Sequence, residues 1–169
     1  ISAFDIDLLW HQSLSMMTVD ELHDLNQRIL DGDQQLDILC VEGSVINGPE
    51  GSGRFDTVLG EPKRDLIRAL AHQAHHVVAV GTCASFGGVG AGSEVMSSGL
   101  QYTQVEPGGL LGTDFRAKSG APVINLPGCP CHCDVVTGVL SAVATDKPVD
   151  LGDYQAPVDW YGVMVHQGC

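Results

Sequence analysis

Positive charge is scarce in this sequence. Eight Lys and Arg stand against 21 Asp and Glu, a formal net charge of −13 over 169 residues. That balance repels phosphate backbones and anionic lipid, so neither nucleic acid nor an anionic membrane surface is expected as a partner. Aromatics make up only 5%, too few for a base-stacking platform. No apolar run reaches the roughly 20 residues of a spanning helix, so no transmembrane segment is expected. A basic stretch followed by an apolar leader is missing, and no secretory signal is expected. Internal repeats and low-complexity linkers are missing too. Gly48, Gly51 and Gly53 lack the spacing and the lysine of a phosphate loop. Ser44 and Ser85 have no evident partner base.

What is present describes one globular domain. Hydrophobic residues are 44% and charged ones 17%, enough at this length to build a real core. Twenty-one glycines point to long structured loops. The six cysteines are an even number, but a chain this long with alternating strands and helices is not a small stapled scaffold. Metal or redox use is the better reading.

Taken in order, residues 4–10 read as a strand and 11–15 as a loop. Thr18-Val-Asp-Glu21 is a capping box, which predicts a helix to about Leu30 with Leu22, Leu25 and Ile29 or Leu30 on one face. Residues 36–41 are the next strand, ending at Glu42-Gly43. A Gly-rich loop follows to Gly60. Pro62 opens a helix to about Gln73. Residues 77–80 and 123–126 are short apolar strands, each followed by a small-residue turn and a cysteine, Gly81-Thr82-Cys83 and Pro127-Gly128-Cys129. The span 84–120 is rich in Gly and Ser and lacks periodicity, with 94–96 compatible with a short helix, and such a span in a compact domain is usually functional. Residues 134–143 predict a third helix. This alternation implies an α/β fold, a flavodoxin-like open parallel sheet with flanking helices and right-handed crossovers.

In such sheets ligands sit outside the carboxyl ends of the strands. Glu42, Cys83 and Cys129 each fall just past a strand end. Thiolates suit iron–sulfur clusters or zinc, while a free cysteine is also a common small buried hydrophobe. Both readings stand for Cys83 and Cys129. Cys40, inside an apolar strand, reads as core filler. Cys131 and Cys133 continue the alternation Cys-Pro-Cys-His-Cys, and either ligate a metal or stand beside one. His166 and Cys169 have a common metal-ligand spacing after an apolar strand-like stretch. His72, His75 and His76 read as a solvated helix end. Glu42 is either a proton carrier or a loop anchor.

Four segments then combine. Cys40-Val-Glu-Gly-Ser44, Gly81-Thr-Cys83-Ala-Ser-Phe-Gly-Gly88, Ile124-Asn-Leu-Pro-Gly-Cys129-Pro and Val165-His-Gln-Gly-Cys169 together resemble the small subunit of nickel–iron hydrogenases. The stretch 6–15 looks most like its cytoplasmic uptake and sensory branch. The resemblance implies an iron–sulfur subunit that passes electrons from H2 oxidation to an acceptor, a quinone or a redox partner. The nickel–iron centre would lie in a separate large subunit. It assigns Cys83 and Cys129 to the proximal cluster, 4Fe-4S or 3Fe-4S, and His166 and Cys169 to a distal cluster. Residues 1–160 then form the flavodoxin-like domain and 161–169 the start of a cluster-binding segment. The family's remaining proximal ligands come from a Cys-x-x-Cys turn this sequence lacks, so a chain incomplete at both ends is expected. The family usually has prolines where Cys131 and Cys133 stand. The implied location is cytoplasmic, at most peripheral at the inner membrane face. Rival readings are an iron–sulfur subunit of a quinone-reductase-type complex, a metal-free flavodoxin-like domain, and a zinc module built on Cys129 to Cys133.

Overall fold

A computed structural model describes residues 6–167 of the chain. Helix α1, Val19–Asp31, begins as the capping box requires. The Thr18 hydroxyl accepts from Glu21 N–H, and the Glu21 carboxylate accepts from Thr18 N–H at 2.7 Å. The Thr18 N–H, and next the Thr18 hydroxyl, both donating to the Glu21 carboxylate, hold it below its ordinary range. Leu25 and Ile29 are its buried residues, four apart and hence on one face. Strand β1, Ile38–Glu42, follows, then β2, Val45–Ile46, and the hairpin of β3, Thr57–Val58, with β4, Glu61–Pro62. Helix α2 spans Lys63–Gln73, with Pro62 at its cap. Strand β5, His76–Val80, runs directly into helix α3, Gly81–Phe86. Short strands β6, Ser97–Ser98, β7, Tyr102–Thr103, and β8, Glu106–Pro107, organise the long loop. Strand β9, Ile124–Leu126, helix α4, Cys133–Ala144, and helix α5, Val158–Tyr161, close the order.

The sheet that organises the molecule has the order β1-β5-β9, all parallel. Its register sets Glu42 level with Val80, and Val80 level with Leu126. The three carboxyl ends therefore finish on one line. Central strand β5 is buried on both faces because side chains alternate along it. Val77 and Ala79 join a core with Ala71, Ala74, Leu100 and Phe115. Val78 joins the other side, with Ile124, Leu126, Val139 and Val143 of α4. Helix α1 packs on α2 through Leu25, Ile29 and Leu70. Helices on both faces of a parallel sheet are the expected α/β arrangement, and none of the described helices is long and apolar enough to cross a membrane.

Buried Gln101 braces the long loop. Its amide donates to the carbonyls of Gly112 and Phe115 at 3.0 and 3.2 Å, and its oxygen accepts from Val123 N–H at 2.7 Å. Phe86, Tyr102 and Tyr154 meet edge to face with ring centres 5.8–5.9 Å apart. They join α3 to β7 and to the turn at 153–155.

The structure corrects several expectations. Residues 6–10 form no strand, and Leu8 and Trp10 are exposed; alternation alone supplies no partner edge. Residues 94–96 are not helical, and Met96 has φ 52°. The segment after Val80 is helix and not a small-residue turn. Cys40 is exposed rather than core filler, since β1 is an edge strand of its sheet. The stretch before His166 contains helix α5 and a bend, not a strand. His76 lies in β5, half-buried, rather than at a solvated helix end.

Candidate metal centre

The site is best built from the two strand ends. At the end of β9, Pro127-Gly128 carries the chain out toward Cys129. At the end of β5, Gly81-Thr82 starts α3 and leads into Cys83. The two exits are clasped together. Thr82 N–H donates to Gly128 C=O at 3.0 Å, and Gly128 N–H donates to Thr82 Oγ1 at 3.0 Å. Cys83 and Cys129 are the residues immediately after the two halves of that clasp. Two residues 46 apart in sequence are thus held on one rim of the sheet.

Close packing continues around the two strand exits. A Cβ added to Gly88 would lie 2.7 Å from Cys83 Sγ, so only glycine leaves that sulfur its space. A Cβ on Gly128, whose φ is 152°, would lie 2.7 Å from Cys131 Cα. Buried Ser85 donates from its hydroxyl to Gly81 C=O at 2.9 Å and ties the first turn of α3 to its start. Cys83 is half-buried and Cys129 exposed. A soft thiol in the first turn of α3 and another on the loop after β9, brought to one rim by the clasp, are the donor type that fits an iron–sulfur group.

The three cysteines of the second loop point to different surroundings. Cys131 is half-buried and packs on the α4 side of the core. Its Sγ lies 3.8 Å from Tyr161 Oη, and that hydroxyl donates to Pro127 C=O at 2.8 Å. Burial first, then the bond and charge of Cys131, push the Tyr161 hydroxyl well above the ordinary phenol range, so it remains a donor. Cys133 opens α4 and is exposed. His132 caps that helix, its Nδ1 accepting from Asp134 N–H at 3.2 Å. Donor atoms of His132, Cys133 and Asp134 lie within 4.8 Å of one another, all exposed.

Glu42 is the last residue of β1, exposed, at the same rim. Cys40 stands two residues before it. Surrounding protein pushes its thiol up to about 11 through desolvation, although solvent reaches the residue. His166 is exposed in a short turn, 165–167, and Cys169 lies outside the described residues. A cavity of about 330 Å³ opens at the other end of the sheet, beside Leu36, Asp37, His75 and Lys118. The sequence reading singled out the thiols and missed what holds them: Thr82, Tyr161 and the His132–Asp134 pair. Small polar residues at a strand end carried the only hint.

The family described as NADH ubiquinone oxidoreductase, 20 Kd subunit, matches residues 2–143. The F420 non-reducing hydrogenase I small subunit of Methanosarcina mazei is 33% identical over 96% of this chain and 45% of its own length. The Hydrogenase-2 small chain of Escherichia coli (strain K12) is 28% identical over 97% of this chain and 41% of its own length. Among solved structures, the actinobacterial-type NiFe-hydrogenase from Ralstonia eutropha H16 aligns with a TM-score of 0.76 at 27% identity, covering 94% of this chain and 48% of that one. The chain therefore spans less than half the length of these relatives.

Proposed function

This chain belongs to the family of NADH ubiquinone oxidoreductase 20 Kd subunits and nickel–iron hydrogenase small subunits, and from that membership we propose that it is the iron–sulfur electron-transfer subunit of a nickel–iron hydrogenase. In this reading it takes electrons released by H2 oxidation in a separate large subunit and passes them to a quinone or redox partner. The observation that carries the reading is the clasp between Thr82 and Gly128, which presents a cysteine from each of two parallel strand ends. The quinone-reductase alternative shares the family description, but the relatives compared above are hydrogenase subunits.

Within this proposal Cys83 and Cys129 supply two thiolate ligands to the proximal cluster, of the four-iron or three-iron kind. His166 and Cys169 begin the ligand set of a distal cluster, and 161–169 begins the segment that holds it, following the flavodoxin-like domain of 1–160. A bound iron–sulfur cluster supplies a reversible one-electron carrier whose potential is set by its ligands, hydrogen bonds and burial. The chain's own contribution is positional. The clasp fixes the loop pair, Ser85 anchors α3, and Tyr161 holds Pro127. Cys131, two residues after the proposed proximal ligand, packs against Tyr161 on the α4 side. Glu42, at the same rim, is proposed as a proton carrier; Glu42→Gln with unchanged proton exchange and H2 oxidation would remove it from that role. The subunit is placed on the cytoplasmic side, on the likeness of its 6–15 stretch.

The large subunit would cover the loops beyond this rim. Phe55 and Met96 are exposed there, 60% and 44%. The segments that carry them are joined by bonds from Gly48 N–H to Val95 C=O and from Asn47 N–H to Met96 C=O. Anaerobic purification of the full-length subunit with its partner tests the proposal. Iron, acid-labile sulfide, broad visible absorbance and nickel in the co-purifying chain are expected. Colourless, iron-free protein with no nickel partner would refute it. The zinc reading is favoured by one observation, the His132, Cys133 and Asp134 grouping, and zinc without iron would select it.

A further inference from the structure

We propose that Thr82 is the positioning residue that sets the separation of the Cys83 and Cys129 thiols, an inference that rests on the iron–sulfur reading above. Regular pairing of β5 with β9 ends at Val80 and Leu126. Beyond that point the strands diverge into α3 and the 127–132 loop. Thr82 supplies the last connection. Its N–H donates to Gly128 C=O and its hydroxyl accepts from Gly128 N–H, both at 3.0 Å. The hydroxyl thus substitutes for a backbone carbonyl and adds one rung to the ladder past the sheet's edge. The rung falls one residue before each cysteine, so a shift at 82 or 128 moves a sulfur directly.

Its surroundings leave little slack. At Gly128 the backbone lies too close to Cys131 for any side chain, since a Cβ there would come within 2.7 Å of Cys131 Cα. Pro127 is held on its other side by the Tyr161 hydroxyl. Gly81 is held by Ser85. Gly88 sits against Cys83 Sγ. Thr82 is the side chain that ties these two anchored halves together. Serine keeps the acceptor oxygen. Valine keeps the shape and the backbone donor but leaves Gly128 N–H without its partner, a loss that costs more than a solvated hydrogen bond does.

The test compares wild type, T82V and T82S as full-length subunits co-expressed with their partner. The readouts are the electron paramagnetic resonance spectrum and reduction potential of the iron–sulfur signal, and its rate of loss to an iron chelator. T82V is expected to alter the spectrum, shift the potential and lose iron roughly tenfold faster, as one unpaired amide would cause. T82S is expected to stay within about twofold of wild type. Wild-type spectrum, potential and chelator rate in T82V overturn the inference. Equal damage in T82S also overturns it, because the oxygen would then not matter. Should T82V fail to fold, T82A takes its place with the same expectations and the same refutation. Wild-type protein without iron–sulfur signal overturns the underlying reading and this inference with it, whereas an intact wild-type signal with an unchanged T82V overturns this inference alone.

Discussion

Single side chains in this protein show how burial and charge set chemistry that residue type alone does not. Cys40 is reached by solvent, yet desolvation on its protein side pushes its thiol up to about 11. Alkylation requires the thiolate. At pH 8 Cys40 is therefore expected to react more slowly than an unperturbed thiol, which peptide mapping after timed alkylation measures; labelling at the free-thiol rate would contradict it. His76 behaves in the opposite sense. Burial first, and the neighbouring His75 second, lower its pKa, while Asp146 and Asp37 oppose the shift. Its Nδ1 is buried without a hydrogen-bond partner among the described residues. With the folded pKa below the unfolded one, the unfolded state binds more protons between the two. The stability His76 contributes is therefore full above roughly pH 6.5 and is lost as pH falls toward the lowered value. Urea unfolding from pH 7 to pH 5 should show that decline, and His76→Gln should flatten it.

At the scale of elements, local devices were legible and long-range ones were not. The capping box of α1 acts within four residues, so sequence alone located the helix, and the structure starts it at Val19. Thr18→Ala should cost about 1 kcal/mol in urea unfolding. The three core strands were legible because apolar runs bounded by Gly and Pro announce them. Residues 6–10 misled because a strand also needs an open edge to pair with, and alternation is silent about that. Helix α3 was missed because Gly81 and Thr82 read as turn formers, and the aliphatic run ahead of them ends there. Gln101 could not be foreseen at all: its partner Val123 lies 22 residues away, and a glutamine in a Gly-rich span looks solvated. Gln101→Leu removes an acceptor from Val123 N–H and a donor from two loop carbonyls. A loss of about 2–3 kcal/mol is expected, with faster proteolysis of the 102–121 loop.

For the molecule as a whole, the strand register decides which residues can cooperate. Glu42, Val80 and Leu126 finish together, so everything that follows them in the chain gathers at one rim. Fold and rim follow from the alternation of apolar strands with helices, and the candidate donors from the cysteines. The sequence could not show that Cys131 turns toward Tyr161, 30 residues downstream, whereas the start of α4 at Cys133 lies one residue from the helix expected over 134–143. The central claim is that Cys83 and Cys129 hold one and the same iron–sulfur group. It is tested by counting iron and acid-labile sulfide and recording the electron paramagnetic resonance of the reduced full-length subunit in complex with its partner, for wild type, C83S and C129S. The account predicts that each single substitution abolishes or converts the same signal; a signal left unchanged by either one would contradict it.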